Sequence, residues 1–331
     1  MLSRVAESIY WMTRYIERSE NVARFVDVNL NLMLDFPGSS DQQWQPLVDI
    51  TGDTEDFKER YGEASQASVI RFLTFDTKNS NSILSCVRAA RENARSVREI
   101  ISSSMWEHLN QSYLMLTAAA SRRREISDPH ELFSSVKTAS QAFTGITDTT
   151  MTHNEGWHFC RLGRQLERAD KTSRILDVKY FLLPKVDDVG TTVDDVQWAA
   201  VLRSASAFEM YHKRHGRISP TRIVEFLLLD EQFPRAIHHS VKAARESVHA
   251  ITGTPTAMFR SPVEQLLGLL CSELAYAQVD EIIAGGLHEY LDGLQTKMNQ
   301  IGSHIYDTFF SGRPAAPKRQ VRRRVGVAPM A

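Results

Sequence analysis

Cysteine is scarce in this chain: Cys86, Cys160 and Cys271 lie far apart among 331 residues and form no Cys-x-x-Cys or Cys/His ligand spacing. That excludes a disulfide framework and a cysteine zinc site, and it predicts buried thiols in a reducing compartment. No run of about 18 apolar residues occurs, so no membrane-spanning helix is expected. Arg4, Glu7, Arg14, Glu17 and Arg18 interrupt the first thirty residues; no signal peptide is indicated, and a cytoplasmic location is expected. Alternating β-branched runs bounded by hairpin turns are missing too, which argues against strands. A net charge of −1 supplies no general attraction to nucleic acid or to an anionic membrane. There is no Gly-rich phosphate loop, no Gly-x-Ser-x-Gly and no His-Glu-x-x-His, so neither a cofactor nor a nucleophile is announced.

What the chain does have is an internal echo. Arg14, Glu17, Arg18, Arg24, Asp27 and Val28 recur as Arg164, Glu167, Arg168, Arg174, Asp177 and Val178. With a shift of 154, residues 60–96 fall on 214–250 with 12 identities in 37 positions, where average usage would give about two. Trp44 and Trp198 share that shift, and His130-Glu131 meets His288-Glu289 slightly later. The pattern predicts a tandem duplication of a unit of about 150 residues. The expected boundaries are 1–148 for the first helical repeat, 151–310 for the second and 311–331 for a tail.

Apolar residues follow helical spacing almost throughout. Val5, Ile9, Met12, Ile16, Ala23, Val26 and Leu30 predict a helix over 3–34, stopped by Pro37-Gly38, and residues 151–183 repeat it. Further helices are expected near 41–50, 66–75, 80–104, 106–123 and 129–148, then 193–212, 219–229, 234–251, 261–284 and 287–310. The fold class is therefore all-α, two related bundles of about ten to twelve helices in all. Pro184 to Asp195 reads as a surface insertion carrying Asp187, Asp188, Asp194 and Asp195. The tail after Ser311, with Lys318, Arg319, Arg322, Arg323 and Arg324, reads as basic and disordered.

Positions 14, 17, 21 and 24 share one helix face, presenting Arg14, Glu17, Asn21 and Arg24; the second copy presents Arg164, Glu167, Lys171 and Arg174. Arg18 and Arg168 adjoin them. Three readings stand side by side. The stripe is a solvated face of intrahelical ion pairs, a buried polar seam, or a site in which arginines clamp an anionic ligand or a partner. Recurrence in both halves weakens the first, because surface pairs contribute too little to folding to be kept. Exposed positions elsewhere are expected to differ freely, as Arg71 against Glu225 and Asn81 against Arg235 suggest. Glu155 and His158 have a spacing used by di-metal bundles, but the first half offers no matching pair, so no metal is expected. His212, His215, His238 and His239 read as surface histidines.

The opening Leu2-Ser3-Arg4-x-Ala6-Glu7-x-Ile9-Tyr10-Trp11-Met12-x-Arg14-Tyr15-Ile16-Glu17-Arg18-x-Glu20-Asn21-x-Ala23-Arg24 resembles the bacterial alpha-E domain family. Leu162-Gly163-Arg164-x-Leu166-Glu167-Arg168-Ala169-Asp170 resembles the same family's central motif, and Thr13 stands where the family usually has Gly. The resemblance implies an all-helical protein named for a glutamate at the position of Glu17. It also implies a setting beside a circularly permuted ATP-grasp amide ligase, often with a transglutaminase-like peptidase, and a peptide-like amide product. Two functions remain open on this basis. One is a non-catalytic partner that holds a ligand or the ligase through the stripe. The other is an enzyme of amide chemistry with Glu17 or Glu167 as general base.

Overall fold

Helical periodicity without strand signals becomes an all-helical protein. The computed structural model describes residues 1–35, 44–121, 128–181 and 192–311. The first seven helices are α1 (Ser3–Asp35), α2 (Gln45–Thr51), α3 (Thr54–Tyr61), α4 (Gln66–Thr74), α5 (Ile83–Ser96), α6 (Ser103–Ser121) and α7 (Pro129–Thr150). Then come α8 (Glu155–Phe181), α9 (Thr192–Ser204), α10 (Phe208–His215), α11 (Pro220–Leu229), α12 (Ile237–Thr252), α13 (Pro262–Tyr276), α14 (Val279–Gly285) and α15 (Leu287–Ile305). The last of these runs directly into one π-helical turn, Tyr306–Phe310.

Fifteen α-helices among the described residues exceed the ten to twelve expected, for three local reasons. Helix α3 buries only Phe57, too little for a recognisable period. The stretch 193–212 is broken by Ser206, whose φ of 52° puts a non-glycine residue in the left-handed region. The stretch 261–284 is broken at Ala277 and Gln278, both extended. The expected helix over 80–104 is shorter because the Ser82 hydroxyl accepts from the Ser85 N–H and caps α5. Asp194 and Asp195 belong to the first turn of α9, not to a loop. Residues 184–191 of the expected insertion and the basic tail lie outside the described residues.

Helices α1 and α8 form the centre. Helix α1 packs on α5, α7 and α8, and α8 packs on α12, α15 and α1. Helix α2 lies against α8 and α9 against α1, so the long helices are covered on several sides. Ile9, Met12, Ala23, Val26, Leu162, Ala169 and Leu176 are buried between them and their neighbours, as are Trp44 and Trp198. Helices α3, α4 and α5 start at 54, 66 and 83, and α10, α11 and α12 start at 208, 220 and 237. Both sets differ by the shift found in the sequence.

The recurrent residues outside the long helices shape the loops in front of α5 and α12. Asp76 accepts from Arg60, from the Tyr61 hydroxyl at 3.1 Å and from the Lys78 N–H at 2.9 Å. Asp230 likewise accepts from Arg214 and from the N–H groups of Gln232 (2.8 Å) and Phe233 (2.6 Å). These loops carry Asn81 and Arg235 to the centre of the molecule.

Candidate functional site at the meeting of α1 and α8

A helix covered on one side buries an apolar stripe; one covered on most sides must also bury its polar face. That is the situation of α1, and its polar face meets the polar face of α8. The approach is close because residue 163 is glycine. A Cβ there would collide with the Tyr10 carbonyl oxygen and lie 2.6 Å from the Thr13 hydroxyl. Contacts advance together along both helices, Tyr10 and Thr13 on Gly163 and then Arg18 on Glu167, so α1 and α8 run parallel here.

The stripe forms a reciprocal clasp. The Arg18 Nε donates to Glu167 Oε1 at 2.6 Å and its Nη2 to Oε2 at 3.1 Å, while the Arg14 Nε donates to the same Oε2 at 2.8 Å. In the other direction Arg168 donates through Nε (2.9 Å) and Nη2 (2.8 Å) to the two oxygens of Glu17. Arg235 adds a bond from Nη1 to Glu17 Oε1 at 3.0 Å, and Asn21 one at 3.2 Å. Both arginine forks are bidentate, the strongest geometry for such pairs. Glu17 is 2 % exposed and Glu167 0 %, so the solvated-face reading fails.

The flanks extend the network. Arg24 and Arg235 both pair with Glu20, whose other oxygen accepts from the Ser140 hydroxyl at 2.8 Å. Arg174 and Lys171 pair with Asp170 at 3.1 and 3.2 Å. Four carboxylates thus accept from seven basic side chains, and the seam carries surplus positive charge. Arg164 departs from its counterpart Arg14. Arg235 occupies Glu17, and Arg164 reaches only Asp148, at 3.9 Å, with its Nε unpaired. Farther along, His130 and Lys137 hold Asp27 (2.6 and 2.5 Å), and His288 holds Asp177 (2.7 Å).

The electrostatics follow from this crowding. Burial opposes the charge of Glu17, yet Arg168 and Arg235 outweigh it and hold the carboxyl at about 2. Burial likewise works against Glu167, and Arg18, Arg14 and Lys171 hold it far below the usual carboxylate range. Arg164 is pushed down from its ordinary value by burial and by Arg168. The thiols of Cys86 and Cys160 are both pushed up to about 12 by burial, which makes them inert.

Arg14, Glu17, Arg18, Arg24, Arg164, Glu167, Arg168 and Arg174 are therefore brought to one seam. Reasoning from identities between the halves missed Glu20 and Asp170, which stand at equivalent positions as different acids, each followed four residues later by an arginine. It also misread Asn81 and Arg235 as freely varying exposed positions. Arg235 is buried on Glu17, and Asn81 accepts from Arg18 at 2.8 Å. His238 is not a surface residue: it is buried with its Nε2 4.0 Å from the Cys271 sulfur. Leu84 at the matching position of α5 was the available signal. Among the described residues no His, Cys, Asp and Glu group is arranged to hold a metal, and no helix is long and apolar enough to cross a membrane.

A cleft of about 210 Å³ adjoins the clasp. It is lined by Tyr10, Trp11 and Arg14 of α1, Asp170 of α8, and Asn299 and Tyr306 from α15 and the π-helical turn, among others. Arg14 lies on the wall, its guanidinium 5.0 Å from the Trp11 ring and its Nη1 donating to the Tyr10 hydroxyl at 3.1 Å.

Two uncharacterised proteins of Mycobacterium tuberculosis strains and one of Mycobacterium bovis are 20–21 % identical to this chain over 331 aligned positions. The match covers 92 % of the chain but only 36 % of each relative, so the chain spans about a third of their length. No solved structure matches it. The Alpha-E family model, described as a predicted alpha-helical domain with a conserved ER motif, matches residues 1–310. Glu-Arg occurs here at 17–18, 59–60 and 167–168, and the first and last of these make the crossed pairs of the clasp. The chain belongs to the Alpha-E family.

Proposed function

We propose that this chain is a non-catalytic helical partner or scaffold of a cytoplasmic amide-forming system, working beside a circularly permuted ATP-grasp ligase and a transglutaminase-like peptidase. The observation that carries this reading is the state of Glu17 and Glu167. Each is enclosed and engaged by guanidinium groups on both oxygens. Glu17 is held at about 2. A general base should titrate near the working pH and reach the proton it removes, and these carboxylates are suited instead to fixing two helices. Arg18, Arg168 and Arg235 point inward to the same task, so a ligand or the ligase would meet the surface that the clasp makes rigid. The length of the relatives agrees with a module that acts with further domains, in one chain or across two.

The test is reconstitution of the full chain with an ATP-grasp ligase encoded beside it, ATP and the ligase's acceptor. The expected result is that the two proteins co-elute, that amide formation depends on the chain, and that the chain alone turns over neither ATP nor an amide. Turnover by the chain alone, abolished by Glu17→Gln or Glu167→Gln in protein that remains folded, would replace this reading with the general-base one.

A further inference from the structure

The cleft beside the clasp has features that the clasp does not need. Arg14 uses Nε on Glu167 and Nη1 on Tyr10, while its Nη2 has no hydrogen bond among the described residues, although the side chain is mostly buried. The charge around it is positive. Glu167 and Asp170 together accept from Arg14, Arg18, Lys171 and Arg174. Asp170 is therefore already neutralised on the cleft wall, and the free edge of Arg14 faces no unspent carboxylate.

The opposite wall is opened by a glycine in a helix. Gly302 stands near the end of α15 and lines the cleft, and a Cβ there would meet nothing within 4 Å. Glycine is a poor helix residue, and packing does not demand it here, where it lines the cleft. The following π-helical turn contributes Tyr306 and Phe310 to the same walls, and such local widenings of a helix often accompany binding sites. Trp11, Leu166 and Met298 add apolar surface to a cleft of mixed character, whose polar groups include Arg14, Asp170 and the Asn299 amide.

We infer that this cleft binds a small organic carboxylate with a flat or apolar body, the carboxylate on the free edge of Arg14 and the body between Trp11, Tyr306 and the space at Gly302. A volume of about 210 Å³ is below the usual range for whole small-molecule sites, so it suits one acid of amino-acid size and not a nucleotide. The planar fork of arginine matches a carboxylate, and the Tyr10 hydroxyl and the Asn299 amide can donate beside it. The site stands on these walls alone and holds whether or not the ligase reading does.

Calorimetric titration of the full chain, with no ligase present, tests it. The probes are N-acetyl-phenylalanine, the same molecule as its C-terminal amide, and inorganic phosphate as competitor. The acid is expected to bind about tenfold or more tightly than the amide, because only the acid offers a charge to Arg14, and phosphate at the same concentration should displace little of it. Gly302→Leu fills the cleft without touching the clasp. It is expected to abolish binding of the acid while the melting temperature stays level or rises. Equal binding of acid and amide, undiminished binding by Gly302→Leu, or phosphate competing as well as the acid would each overturn the assignment.

Discussion

Glu17 and Glu167 show how a residue of low intrinsic stability value becomes a structural necessity. Exposed, an Arg–Glu pair contributes under about 1 kcal/mol; enclosed, the loss of one partner leaves a charge with no water to turn to and costs about 3–5 kcal/mol. Glu17→Ala and Glu167→Ala are expected to lower stability by about that amount in chemical denaturation, whereas exchange of the exposed Glu225 should be nearly silent. The pH dependence has a definite sign. The Glu17 carboxyl lies at about 2 in the folded protein against an ordinary 4.5. Its contribution is therefore complete above pH 4.5 and is lost as the pH falls toward 2. Denaturant midpoints should be flat near neutrality as far as this group is concerned and fall across that acid window in the parent protein. Glu17→Gln should flatten its share of the fall.

At the scale of elements, two glycines in long helices should respond in opposite directions. Gly163 lies under Tyr10 and Thr13, so Gly163→Ala must push α1 from α8 and strain both forks of the clasp. Gly302 opens on empty space, and Gly302→Ala should gain up to about 1 kcal/mol of helix propensity. Thermal melts of the two variants check the pair; a loss at 302 or a gain at 163 would contradict the packing described. The long helices themselves were readable from the sequence, 3–34 expected against Ser3–Asp35 and 151–183 against Glu155–Phe181, since many turns of regular apolar spacing outweigh any local ambiguity. The short ones were not. Ser206 and Ala277 end helices without a proline or glycine to mark them, and tertiary packing, invisible in one sequence, decides such stops. The stripe was legible as a set of repeated residues, with a buried seam as one of three readings that the sequence left open. Its burial depends on what α5, α7 and α9 place around α1 and what α2 and α12 place around α8, and Arg235 arrives from a residue far along the chain.

For the whole molecule, the main pairs of the clasp all cross between residues 1–150 and 151–311. Glu17 is satisfied chiefly by Arg168 and Arg235, and Glu167 chiefly by Arg14 and Arg18. Separating the halves breaks both sets and also exposes to water the faces that α1 and α8 bury against each other, a large loss against a typical total stability of about 5–15 kcal/mol. Each half produced alone is therefore expected to melt without a cooperative transition, and co-expression of the two should restore a stable complex that purifies together. A half that melts sharply by itself would show that the clasp is an accessory to two independent cores.

The reciprocity of that clasp has a consequence for assembly. Glu17 accepts the fork of Arg168 and Glu167 that of Arg18 in the same manner, and nothing in these contacts records whether both helices belong to one molecule. Only the short connection from Met151 to Asn154, between α7 and α8, enforces the intramolecular choice. It does so by holding each half at an effective concentration of roughly millimolar order around the other. Two chains that exchange halves would recover every pair, so the barrier to domain swapping here is kinetic and topological, not a matter of lost contacts.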